Sequence, residues 1–175
     1  MIWQLEVDTA IKKKVEDIVN CPVVFSNPNI VATKEKYPTV SITLIDQKEN
    51  DNLKNHNSRV ITKSSVSASF KDAPSYYDFH YQIDFWAKRT TDINILTGQW
   101  IISTPPKGTI NLVGSEGENY LAHMKLLYYN NLDIVKGEDT TFRRCYTYKI
   151  SIPVDSGRTV ERPLALDIGV TKTQL

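Results

Sequence analysis

The chain has 175 residues, 41% of them hydrophobic and 23% charged, and 21 Lys and Arg against 20 Asp and Glu leave a formal net charge of +1. That size and mix predict one soluble globular domain and exclude wholesale disorder. Balanced charge argues against a protein that coats nucleic acid, and no apolar run approaches the roughly 20 residues of a membrane-spanning helix.

The start, Met1 to Glu6, lacks the basic region and small-residue cleavage site of a signal peptide, so the chain is expected to stay in the cytoplasm of the cell that makes it. Asp8 or Thr9 is the expected N-cap of a first helix. Ala10, Ile11, Val15, Ile18 and Val19 form its apolar stripe, with Lys12, Lys13, Lys14, Glu16 and Asp17 on the solvated face. Cys21-Pro22 ends it, because the residue before proline is pushed out of the helical region. Cys21 and Cys145 are the two cysteines of the chain, and without an export signal they predict buried thiols rather than a disulfide.

Pro22 to Phe25 is short and apolar, and Asn27-Pro28-Asn29 is turn chemistry. Pro38 to Asp46 predicts a half-buried strand, with Val40, Ile42 and Leu44 on one face and Thr39, Ser41 and Thr43 on the other. Gln47 to Asn57 is polar apart from Leu53 and predicts a long exposed loop. Loops of about a dozen residues are uncommon in compact domains and either have a task, such as contacting a partner, or are mobile.

Strand signals return from Arg59 to Phe70, and Lys71 to Ser75 predicts a turn. The clearest alternation follows, with Tyr77, Phe79, Tyr81, Ile83 and Phe85 against Asp78, His80, Gln82 and Asp84. A short turn between two strands predicts that they pair as an antiparallel hairpin. A second helix is expected from Thr91-Asp92, capped by Asp92, with Ile93, Leu96, Trp100 and Ile101 as its apolar stripe. Pro105-Pro106-Lys107-Gly108 stops it. Thr109–Val113, Tyr120–Tyr129 and Thr141–Pro153 are further strands; the last sets Phe142, Arg144, Tyr146, Tyr148, Ile150 and Ile152 against Arg143, Cys145, Thr147, Lys149 and Ser151. From Val154 to Leu175 the texture changes. The alternating Leu164, Leu166, Ile168 and Val170 suit either a final strand or an arm that adds a strand to a neighbour's sheet.

Catalytic signatures are sparse. There is no glycine-rich phosphate loop, and Gly114-Ser115-Glu116-Gly117 lacks the spacing and the strand-to-helix setting of a nucleophile elbow. Asp78, His80 and Asp84 share a strand face, but alternate residues stand roughly 6.6 Å apart. A metal there would need a second element, and a solvated sheet face or a subunit interface is the favoured reading of the pattern. Arg143 and Arg144 point to opposite faces, unlike a phosphate clamp. The aromatics of Tyr77 to Phe85 lie on the apolar side of their strand, where they cannot stack on bases.

The expected architecture is α+β: a mainly antiparallel sheet with two helices packed on it, in the order helix, strand, hairpin, helix, strands, with an extended C-terminal arm. Two stretches carry a resemblance: Tyr37-Pro38-Thr39-Val40-Ser41-Ile42, and Tyr77 to Ala87 running into Thr90-Thr91-Asp92-Ile93-Asn94-Ile95-Leu96. In these, and in element order, the chain resembles the tail terminator and head-to-tail joining (neck) proteins of long-tailed bacteriophages. The resemblance spans about Thr9 to Pro153. It implies a terminator-like domain over 1–153, an arm or extra strand over 154–175, and a structural virion protein assembled in the host cytoplasm. It further implies a ring, usually a hexamer, that caps the tail tube and meets the head connector protein, with DNA passing the channel without specific recognition. It implies no catalytic residue, cofactor, metal or membrane.

For such a ring, exposure and charge single out three contact regions: the loop at Lys48, Asp51, Lys54 and His56; the turn at Lys71, Asp72 and Ser75; and the arm at Arg158, Glu161 and Arg162. Three other readings compete. A tail tube or baseplate subunit would polymerise into long tubes. A small enzyme or ligand-binding domain would place a pocket between the sheet and the second helix, with His80 or His123 as base. A nucleic-acid adaptor would bind DNA in a salt-sensitive way.

Overall fold

The structure is a computed structural model that describes residues 4–25, 36–50, 59–63, 67–71, 75–114, 117, 119–136, 139–154 and 159–163. The element order is α1 (Gln4–Glu16), β1 (Val23–Phe25), β2 (Thr39–Glu49), β3 (Arg59–Lys63), β4 (Ser67–Lys71), β5 (Ser75–Ala87), α2 (Thr90–Ser103), β6 (Lys107–Val113), β7 (Asn119–Asn131), β8 (Ile134–Lys136), β9 (Asp139–Val154) and β10 (Thr159–Pro163). The fold is α+β and mainly antiparallel, as expected, but richer in sheet than the sequence suggests.

A seven-stranded sheet runs β1-β2-β5-β9-β7-β6, with β8 added to β9. β1 pairs parallel with β2; the other pairings are antiparallel. A second sheet has the order β10-β4-β3. The hairpin expected between the strand before Lys71 and the Tyr77 strand does not form. β4 pairs instead with β3 and β10, while β5 pairs with β2 and β9. A turn of suitable length permits a hairpin but does not require one. β5 carries the longest aromatic face in the chain, and it gains most at the centre of the larger sheet.

Both helices pack on one face of that sheet. Val7, Ile11 and Val15 of α1 and Ile93, Leu96 and Trp100 of α2 join Phe79, Tyr81, Ile83, Phe85, Tyr146, Tyr148, Ile150 and Ile152 in one core. Trp100 sits 5.6 Å from the Phe85 ring and 5.8 Å from Tyr148, and its Nε1 donates to the Tyr148 hydroxyl at 3.1 Å. Burying the indole therefore leaves no donor unpaired.

α1 starts at Gln4, before the expected Asp8 or Thr9 cap. Asp8 lies inside the helix, and its carboxylate accepts a hydrogen bond from the Tyr81 hydroxyl. The Thr9 hydroxyl donates to the Leu5 carbonyl at 2.7 Å. At α2 the N-cap is Arg89, which makes no side-chain cap bond, and Asp92 lies in the first turn. Ile101 is exposed: one residue past Trp100 turns about 100° off the buried stripe.

β2 departs from simple alternation. Thr39 and Ser41 are fully buried along with Val40 and Ile42. The Ser41 hydroxyl accepts from Trp86 Nε1 at 2.9 Å, and Trp86 is itself buried on the face away from the helices.

Candidate functional site

The sheet face opposite the helices is built from the polar phases of β2, β5, β7 and β9. Register aligns them in rows: Asp46, His80, Lys149 and Lys125; then Lys48, Asp78, Ser151 and His123; then Ser41, Asp84, Cys145 and Asn130. β5 lies at the middle of these rows, which is why Asp84 is completely buried and Asp78 almost so.

Each buried carboxylate has its own partners. Asp84 accepts from Arg143 Nε at 2.8 Å and from Gln82 Nε2 at 2.7 Å, and the Arg143 guanidinium lies 4.7 Å over the Trp86 ring. Asp78 accepts from Ser151 Oγ at 2.6 Å, Lys149 Nζ at 3.0 Å and Asn50 Nδ2 at 3.0 Å. Burial alone would raise the Asp78 carboxyl, but the hydrogen bonds from Ser151, Lys149 and Asn50 and the Lys149 charge hold it below its ordinary value. His80 Nδ1 faces the Asp46 carboxylate at 3.6 Å. Burial, with the nearby Asp84 carboxylate, pushes the Cys145 thiol up to about 12, far from a reactive thiolate. Both cysteines are free thiols; Cys145 is buried and Cys21 half-buried. Burial likewise raises Cys21 to about 11.

Asp78, His80 and Asp84 thus share a face and divide their partners. Among the described residues no group of three or more His, Cys, Asp or Glu converges as a metal site. His80 and His123 lie in rows on this face, whereas α2 packs on the other. The interval between sheet and α2 is filled by Trp100, Phe85, Tyr146 and Tyr148. The geometry of a pocket there with a histidine base is therefore absent from the described residues.

A groove of about 660 Å³ opens elsewhere, between α1 and β6. Leu5, Ala10, Ile18 and Val113 give it an apolar lining, and Lys13 and Asp17 stand among its polar residues. Among the described residues β6 is an edge strand, paired with β7 alone, so one row of its main-chain groups faces away from the sheet. Around the groove Leu5 is 73% exposed and Val113 57%. Ile102, next to the lining residue Ser103, is 87% exposed.

The residues singled out by sequence are distributed as follows. Lys48 is not in a loop: β2 extends to Glu49, and Lys48 is exposed on it opposite Asp78. Asp51, Lys54 and His56 lie outside the described residues, as do Asp72 and Arg158. Lys71 ends β4, opposite both Arg59 and Thr159, and Ser75 starts β5, opposite Val154; both were expected in a turn. Glu161 and Arg162 pair with Ser69 and Ala68. Strands β4 and β10 therefore bring Lys71 of the second region and Glu161 and Arg162 of the third into one sheet, while Ser75 belongs to the larger one. Within the expected arm, Thr159–Pro163 is a strand of the smaller sheet, and 155–158 and 164–175 lie outside the described residues. The expected boundary at 153 falls within β9, which runs to Val154.

Sequence reasoning missed the groove and the exposed isoleucines. Ile95, Ile101 and Ile102 are out of phase with Ile93, Leu96 and Trp100, and that phase was the available signal.

No protein-family model and no curated protein matches the sequence. Among solved structures the chain is similar to the sheath/tube terminator of an extracellular contractile injection system, PVC, in its extended state. That likeness has 13% identity and a TM-score of 0.44, over 95% of this chain and 66% of that one.

Proposed function

We propose that this chain is a structural subunit of a phage-type neck, a terminator that closes into a ring on the end of a tail tube and meets the head connector. The observation that carries this reading is the surface at β6, left uncovered by the described residues: an edge strand beside an apolar groove, with the lining residues Leu5 and Val113 exposed. Unpaired main-chain groups next to apolar surface are a template for a further strand or an apolar segment. A contact in which this groove meets a different patch of the next subunit is heterologous, and heterologous contacts that close make cyclic rings. The resemblance of Tyr37–Ile42 and Tyr77–Leu96 to the terminator family supports the same reading. In it the chain performs no catalysis and needs no cofactor. The hexamer, the tail tube protein, the connector, the DNA-passing channel and location in the virion belong to this proposal.

Multi-angle light scattering with negative-stain imaging tests it. Closed rings, alone or on added tail tube protein, are expected. Monomers under both conditions overturn it, and long tubes replace it with the tail tube or baseplate reading. Leu5→Lys, at an exposed position that lines the groove, should leave the melting temperature unchanged and abolish rings.

A further inference from the structure

Three lysines distant in sequence meet on the sheet face away from the helices. Lys107 of β6 lies directly opposite Lys125 of β7, and Lys125 directly opposite Lys149 of β9. Directly opposed residues of antiparallel strands project from the same face, with Cβ atoms about 4.5–5.5 Å apart. The three ammonium stems therefore form one row across two strand spacings, roughly 10 Å long. Lys107 and Lys125 are exposed and Lys149 is half-buried. His123, one row along β7 between Thr109 and Ser151, joins the lysines around a shallow open depression of about 270 Å³.

Opposition of like charges in a sheet is unfavourable. The chain has 20 carboxylate side chains with which to relieve it. Yet among the described residues only Asp78 meets the row, through Lys149 at 3.0 Å, and no carboxylate pairs with Lys107 or Lys125. Lys107 and Lys125 are thus left uncompensated among the described residues, with the Asp78-paired Lys149 beside them, and neighbouring uncompensated cations are complementary to a row of anions. Ammonium groups act as point charges for phosphate, with no bidentate demand on its orientation. The open depression suits a long polyanion crossing the surface rather than an enclosed small molecule.

We propose that Lys107 and Lys125, flanked by Lys149, form a contact site for the phosphate backbone of duplex DNA, bound without sequence readout. The row is complete within one subunit, so the inference does not rest on the ring.

The test is fluorescence anisotropy of a short fluorescein-labelled DNA duplex, titrated with protein across a salt series starting at low salt. Binding should weaken with salt, with a log–log slope of about 0.9 per neutralised phosphate. Lys125→Gln should lower that slope by about 1, and Lys107→Gln with Lys125→Gln should cost at least about tenfold in affinity. Lys125→Arg keeps the charge and should bind as the parent. Lys12→Gln, on α1 at the other face, should change nothing. Unchanged affinity and slope in the double variant overturn the proposal. So does displacement of the duplex by inorganic phosphate beyond that by chloride at equal ionic strength, which would assign the row to small anions.

Discussion

Asp84 and Arg143 form the most enclosed ion pair of the sheet, with side-chain exposures of 0% and 14%. Removing one member strands the other in a poorly solvated site. Asp84→Ala is expected to cost about 3–5 kcal/mol, read from urea unfolding. Asp78 gives a pH-dependent counterpart. Its folded carboxyl titrates below the ordinary 3.8, so it contributes stability that is present above that value and lost as pH falls through the folded pKa. Urea midpoints followed from about pH 5 downward should fall more steeply for the parent than for Asp78→Asn. Lys125 acts in the opposite sense. Lys125→Gln removes two like-charge oppositions and should raise stability by a few tenths of a kcal/mol. The polar phase of β5 was legible as a set of residues, but not their fates: alternation says that Asp78, His80 and Asp84 share a face, and only the neighbouring strands supply Arg143, Lys149 and Ser151.

At the scale of elements, α2 was legible through Ile93, Leu96 and Trp100, and its edges were not. Caps depend on one or two local hydrogen bonds, and Asp92 was a sound candidate that the chain does not use. Gly98 lies inside this helix, and a Cβ built there meets nothing within 4 Å. Gly98→Ala should therefore raise thermal stability, by about 0.5–1 kcal/mol, because it removes backbone freedom from the unfolded chain without a clash. Trp100→Ala should cost about 3–5 kcal/mol, since the indole is fully enclosed between α2 and the sheet. The strands β5 and β9 were plain from alternation, and their pairing runs without a shift from Ser75–Val154 to Ala87–Phe142. β2 was harder, because its first half is buried on both faces and Thr39 and Ser41 looked solvent-facing. β8 escaped notice altogether, at three residues.

For the whole molecule, the decisive feature is which strands end at an edge. β6 ends the larger sheet beside the α1 groove, and the second sheet joins Lys71 with Glu161 and Arg162. Deleting Asn50 to Asn57 is expected to disturb the fold: Asn50 N donates to the Tyr76 carbonyl at 2.7 Å and its side chain holds Asp78. A deletion that starts at Asp51 leaves those bonds in place.

The sequence by itself determined the α+β class, two helices, the long alternating strands and most of the core, because each rests on a period that a few neighbouring residues reveal. Partner strands, edges and the opposite face of the sheet were decided by tertiary structure, because register links residues that no local pattern connects. A net charge of +1 is an average over the chain, and it hid the alignment of Lys107, Lys125 and Lys149 that three paired strands create.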